Sequence, residues 1–171
     1  MIDNAKSFVE IIGECSLNEL PNLGADSNWK EISVPEKVEI PCQKPDLEQL
    51  LEVLIEAEVT FYQVVNTPQA ETQQGNPIAA TNIEGDISTG KKLIIEGLIH
   101  QKVIYVAQKK CQALHAAEFS VPFSTYIVIP GDIPLDAQFY IDVFIEDLFI
   151  KKFTARKIFK NVTLFLHAIQ V

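Results

Sequence analysis

The side chains that could do chemistry in this chain are few and scattered. Its three histidines, His100, His115 and His167, sit in or beside apolar runs, and its three cysteines, Cys15, Cys42 and Cys111, lie far apart with no Cys-x-x-Cys spacing. Three histidines can converge in space on a metal, but packed or surface histidines fit the same pattern. Three separated cysteines read as buried reduced thiols rather than as zinc ligands or a disulfide framework. Glu56 and Glu58 in "LIEAEV" could work as an acid–base pair only inside a desolvated pocket that raises one pKa; their alternation with apolar residues places them on a solvated strand face instead. No Ser-His-Asp, Cys-His or metal-spaced cluster is legible, and Gly85 and Gly90 lack the Gly-Lys-Ser/Thr ending of a phosphate-binding loop. The expectation is a chain with no catalytic residue, no cofactor and no metal site, and hence not an enzyme.

Charge is the sharper signal. The net charge of −9 argues against nucleic acid, whose binding depends on Lys and Arg against phosphates. Residues 1–90 carry 4 Lys or Arg against 16 Asp or Glu, whereas residues 91–171 carry 10 against 7. Half of those later bases, Lys151, Lys152, Arg156, Lys157 and Lys160, fall in the acid-free run "KKFTARKIFK". Such a run is either a solvated face or a docking patch for an acidic protein partner. Complementary halves also suit self-association, because opposite patches steer one copy onto another.

These residues need a scaffold, and the sequence describes a β-rich one. A length of 171 residues with 47% hydrophobic content suits a single domain over residues 1–171 with a real core. No run approaches the 18 or so apolar residues of a membrane span, and the N-terminus lacks the long apolar stretch of a signal peptide, so membrane insertion is not expected and the default location is cytoplasmic. Phe8, Ile11, Ile12 and Cys15 fall at helical spacing, predicting a short helix over residues 5–15. "WKEISVPEKVEIP" alternates through Pro35, which marks an edge or broken strand because proline cannot donate to a ladder. "KPDLEQLLEV" offers Asp46 as N-cap and Gln49 as its capping-box partner, predicting a helical turn or two over residues 46–52. From Val53 the chain alternates as a half-buried strand.

Residues 66–91 are polar and rich in Gly, Pro, Asn and Thr, the longest candidate loop. Four apolar runs follow, "KLIIEGLIHQKVIYVA", "HAAEFSVPFSTYIVIP", "DAQFYIDVFIEDLFIKKF" and "KIFKNVTLFLHAIQV", each rich in Val, Ile, Phe and Tyr and predicted as strands. Gly97, in the middle of the first, suits a bulge or a close backbone approach. "SVPEKVEIP" at 33–41 is echoed by "SVPFSTYIVIP" at 120–130, by duplication or by chance. The predicted fold class is mainly β, an antiparallel β-sandwich-like domain with one or two short helices. In such a sandwich the 66–91 loop could act as a lid over a small ligand anchored by Tyr105, Tyr126 or the histidines, the alternative to an interaction module.

Taken together, "WKEISVPEKVEIPCQKPDLEQLLEV", "TGKKLIIEGLIHQKVIYVA", "HAAEFSVPFSTYIVIP" and "IEDLFIKKFTARKIFKNVTLFLHAI" resemble the SPOCS domain of clostridial and related spore formers. Ile40, Pro41, Lys44, Pro45, Asp46, Glu48, Gln49 and Val53 carry the most specific part, and the early "FVEIIGECSLNELP" fits too. The resemblance implies a link to spore envelope morphogenesis through protein partners such as spore coat proteins. A better-studied relative ends in a LysM module; this sequence stops after "LFLHAIQV", so peptidoglycan binding is not expected of it. The family supplies no catalytic residues.

Overall fold

Alternation of apolar and polar residues decides nearly every element. A computed structural model of the chain describes residues 9–25, 27–71, 73–78, 80–81 and 87–171. Among the described residues eleven strands run in order: β1 (Glu10–Ile12), β2 (Asn28–Glu39), β3 (Leu47–Asn66), β4 (Ala70–Glu71), β5 (Pro77–Ile78), β6 (Ala80–Thr81), β7 (Ile87–Ser88), β8 (Lys91–Ala107), β9 (Leu114–Val128), β10 (Phe139–Lys152) and β11 (Lys157–Gln170). In β8, Leu93, Ile95, Ile99, Val103 and Tyr105 point inward and are fully buried, while the intervening Lys92, Glu96, His100 and Lys102 point outward, as a period of two requires.

Two sheets result, with strand orders β1-β3-β8-β9 and β10-β11-β2. They pack face to face around one core, to which β8 contributes Ile95 and Ile99, β3 contributes Val53 and Ile55, and β11 contributes Ile158, Val162 and Leu164. The long pairings are antiparallel, and β1 runs parallel to its neighbour β3. This is the expected β-sandwich. Pro35 in β2 and Pro122 in β9 both occupy edge strands, where a missing donor is tolerated. The Ser-Val-Pro echo thus meets the same local demand in each strand.

The larger sheet's β3 lies beside β10, and β9 beside β2. Residues 13–15 cross the first of these gaps: the Cys15 amide donates to Ile145 O at 2.8 Å and the Leu148 amide donates to Glu14 Oε1 at 2.8 Å. The crossing falls at a register shift between Ile145 and Asp147 in β10, where a bulge frees ladder groups.

Neither predicted helix is present among the described residues. Residues 47–52 are the first part of β3, and the misreading has a physical cause. Register shifts between Leu47 and Gln49 and between Leu50 and Glu52 each insert an extra residue, so the inward positions become Leu47, Leu50 and Val53, three apart like a helix face. Asp46 does not cap a helix; its carboxylate accepts from Arg156. Within 5–15, residues 10–12 are β1, laid along the open edge of β3, and residues 5–8 lie outside the described residues. Gly13, at φ 120°, ends that strand where a Cβ would strike the Ile55 carbonyl. The 66–91 segment is not one open loop: its described parts form two short ladders, β4–β5 and β6–β7. Gly85 lies outside the described residues.

Candidate interaction surface

The basic run spans the hairpin between β10 and β11, and its five residues divide into exposed and inward-turned side chains. Lys151, Lys152 and Lys157 are exposed, with Lys152 Nζ also donating to Glu48 O at 3.0 Å. Arg156 and Lys160 depart from the predicted docking patch. Arg156 turns into the β2–β3 connection: Nη1 donates to Lys44 O at 2.8 Å and Asp46 Oδ1 at 3.0 Å, and Nη2 donates to Ile40 O at 2.6 Å and Pro41 O at 2.8 Å. A planar guanidinium can serve four acceptors of one turn at once, which makes it a structural clasp. Lys160 follows the inward parity of Ile158 and Val162 and is fully buried, paired with Glu36 at 2.8 Å.

The outward parity of the smaller sheet collects aromatic rings. Trp29 of β2 stacks on Phe165 of β11 with centroids 5.4 Å apart, and Phe144 of β10 flanks Phe165 at 6.3 Å. Further along, Phe149 meets Phe159 at 6.3 Å, and Lys37 Nζ sits 5.1 Å from the Phe153 ring centre. Trp29, Tyr140, Phe149 and Phe153 remain exposed. Lys37, Lys151 and Lys157 border the Phe149–Phe159 end through the register pairs Lys151–Phe159–Lys37 and Lys157–Glu39. This corner is both aromatic and basic, which sequence reading from the lysines alone missed; the odd-numbered aromatics of "KIFKNVTLFLHA" were the available signal.

The outer face of the larger sheet has the opposite character. Glu52, Glu56, Glu58, Glu96 and Glu118 share it with Lys102 and His100 through the registers of β3, β8 and β9. Here the structure brings together a constellation that spacing could not reveal, because its members come from three strands. His100 Nδ1 lies 2.9 Å from Ser120 Oγ, and its Nε2 lies 3.0 Å from Glu58 Oε1. A concavity of about 510 Å³ lined by Ile12, Leu54, Glu56 and Ser120 opens beside them. The order resembles a nucleophile, base and orienting carboxylate. β8 is laddered on both sides, which commits the amides around His100, whereas Ser120 lies on the edge strand β9.

The other candidates are dispersed. His115 lies against Tyr105 at 6.0 Å. His167 is buried with Nδ1 unpartnered. Among the described residues no group of three or more His, Cys, Asp or Glu could hold a metal ion. Tyr105 is a core residue whose hydroxyl donates to Pro45 O at 2.8 Å, and burial raises its pKa. Tyr126 carries Lys30 and Lys92 over its ring at 3.7 and 3.9 Å. The cysteines are free, but Cys42 and Cys111 are exposed rather than buried because both sit in turns; Cys15 is half-buried, and burial raises its thiol pKa.

Fold and surface thus define a two-sheet antiparallel β-sandwich with one acidic outer face and one aromatic outer face with a basic corner. The family model described as "SipL, SPOCS domain" matches residues 46–152, more than half of the chain, and the chain belongs to the SPOCS domain family. Comparison with curated proteins and with solved structures gave no match. The residues that carried the resemblance at 40–46 form the turn that Arg156 clasps.

Proposed function

We propose that this protein is a non-catalytic interaction module of spore envelope assembly, acting in the mother-cell cytoplasm and then at the spore coat, where it binds protein partners and copies of itself. One observation carries the reading: Trp29, Tyr140, Phe149 and Phe153 are exposed on or beside one sheet face, with Phe149 and Phe153 at the end that carries Lys37, Lys151 and Lys157. Exposed aromatics grouped on a surface mark interaction sites, and the lysines fit an acidic partner. The SPOCS membership supports the assignment to sporulation. The test is a pull-down from sporulating cells with the full chain and with a Phe149→Ala, Phe153→Ala, Lys151→Glu, Lys157→Glu variant. Loss of specific coat-associated proteins from the variant's capture is expected; identical captures would refute the assignment of this face.

The Glu58–His100–Ser120 arrangement favours a second reading, a hydrolase or small-ligand site with Ser120 as nucleophile. Ester hydrolysis by the purified chain that vanishes in both Ser120→Ala and His100→Ala would establish it in place of the first.

A further inference from the structure

A polar cluster lies inside the sandwich, where nothing in the proposed surface role uses it. Lys160 on β11 and Glu36 on β2 are direct cross-strand neighbours, with side chains 0% and 6% exposed and Nζ 2.8 Å from Oε2. Gln101 reaches them from β8 of the opposite sheet; it is 3% exposed, and its Oε1 accepts from Lys160 Nζ. Phe119, the neighbour of Gln101 on β9, places its ring centre 5.6 Å from the same Nζ. Ile55, Ile158 and Val162, all buried, complete an apolar wall.

As a purely structural device this cluster is poorly made. A buried ion pair seldom stabilises more than apolar residues of the same size, and it helps only when its remaining polar atoms are satisfied. Here they are not all satisfied: Lys160 Nζ lies 2.8 Å from Glu36 Oε2, but Glu36 Oε1 and Gln101 Nε2 are buried without a hydrogen-bond partner. The three groups make better sense as reactants. An amine, a carboxamide and a carboxylate sit in contact in a water-poor, aromatic-lined site, and the carbonyl carbon of Gln101 is one bond from the atom that Lys160 touches.

We propose that Lys160 and Gln101 join autocatalytically through an isopeptide bond from Nζ to Cδ, with Glu36 as proton carrier, and that this bond staples the two sheets across the core. Glu36 takes a proton from the Lys160 ammonium. The freed amine attacks Cδ, and the C=O pair moves onto Oε1. The proton displaced from the attacking nitrogen passes to Nε2. The C=O bond re-forms, the Cδ–Nε2 bond breaks, ammonia leaves, and Glu36 returns its proton to it. The net change is ammonium plus carboxamide to secondary amide plus ammonium, with no oxidant, metal or cofactor. Burial holds the Lys160 pKa below its usual range, with Glu36 opposing the effect, and so favours the nucleophilic amine. Amide aminolysis is slow in water, but groups held in register by two sheets react at effective concentrations of about 10⁵–10⁸ M.

The decisive measurement is the intact mass of the purified, folded full chain. The expected mass falls short of the sequence by one ammonia, and digestion yields a branched peptide joining the β8 segment containing Gln101 to the β11 segment containing Lys160. A chain synthesised and kept in denaturant should retain its full mass, because the fold assembles the reactants. Lys160→Met and Gln101→Leu should also stay at full mass, as should Glu36→Gln, which keeps the shape but loses the proton carrier. Core variants can misfold, so the parent chain decides: a folded parent at full sequence mass after prolonged incubation overturns the bond. Ammonia loss mapping to any other residue also overturns it. Persistence of the link in Glu36→Gln overturns the role given to Glu36.

Discussion

Gly97 on β8 lies under the ring of Phe123, its register partner on β9, and against the carbonyl of Glu58 on β3. A Cβ here would collide with both, and one of the two obstacles is backbone, which cannot swing aside. The register shift between Val59 and Phe61 sits opposite, so bulge and close approach occur together. Gly97→Ala is therefore expected to destabilise the sandwich by roughly 1–3 kcal/mol, the usual range for overpacking. Urea unfolding followed by fluorescence of Trp29 reads this as a lower midpoint, and an unchanged midpoint would show that both Phe123 and the backbone at Glu58 can give way.

Arg156 should behave as a structural residue even though it belongs to the most basic run in the sequence. Lysine in its place is a point charge on a flexible stem and cannot reach the carbonyls of Ile40, Pro41 and Lys44 together with Asp46. Arg156→Lys is expected to cost about 1.5–3 kcal/mol, the range for hydrogen bonds to charged groups. Lys151→Ala and Lys157→Ala, which alter only the surface, should stay within about 0.5 kcal/mol of the parent. Equal effects for all three substitutions in denaturant titrations would remove the distinction drawn between clasp and patch.

That distinction also marks how far the sequence could be read. Period-two alternation identified β8–β11 and the later part of β3, because a half-buried strand imprints its two faces on residue order. It failed at Leu47–Leu50, where two bulges imitate a helical period, and a bulge leaves no compositional trace when the inserted residues are ordinary ones. Within "KKFTARKIFK" parity alone would have sent Lys160 inward with Ile158; counting charges hid it. The Glu58–His100–Ser120 and Lys160–Glu36–Gln101 groups each draw on three strands, and the strand order that brings those strands together is absent from any local pattern.

Glu146 supplies a pH dependence of unusual sign. Burial raises its pKa first of all, the adjacent carboxylate of Glu31 adds to the rise, and its Oε2 is buried without a partner. A carboxyl with a higher pKa folded than unfolded binds more protons in the folded state between the two values, so this group's contribution to stability falls as pH rises through that window. Glu146→Gln should therefore raise the urea midpoint at neutral pH and have less effect at acidic pH, below the unfolded value. A midpoint lowered at neutral pH would mean that the carboxylate has a favourable partner after all.

Charge-driven association is the prediction on which the assembly role depends most. The larger sheet presents Glu52, Glu56, Glu58, Glu96 and Glu118 on its outer face, and the smaller sheet presents Lys37, Lys151 and Lys157 at one corner. Because the two sit on opposite faces, a contact between them is heterologous and need not close, so it can extend into a filament or layer. Exposed charges are screened over about 10 Å at 0.1 M salt, so the assembly should shrink as salt is raised. Light scattering across a salt series should show a mass above the monomer at low salt that declines with added salt. Lys37, Lys151 and Lys157→Glu together should remain monomeric throughout; Lys152 and Arg156 are kept because their bonds to Glu48 O and to the 40–46 turn belong to the fold. Stability should be unchanged in that variant, which separates lost association from lost structure. A parent that stays monomeric at low salt and high concentration, or an oligomer indifferent to both salt and charge reversal, would rule out assembly through these faces.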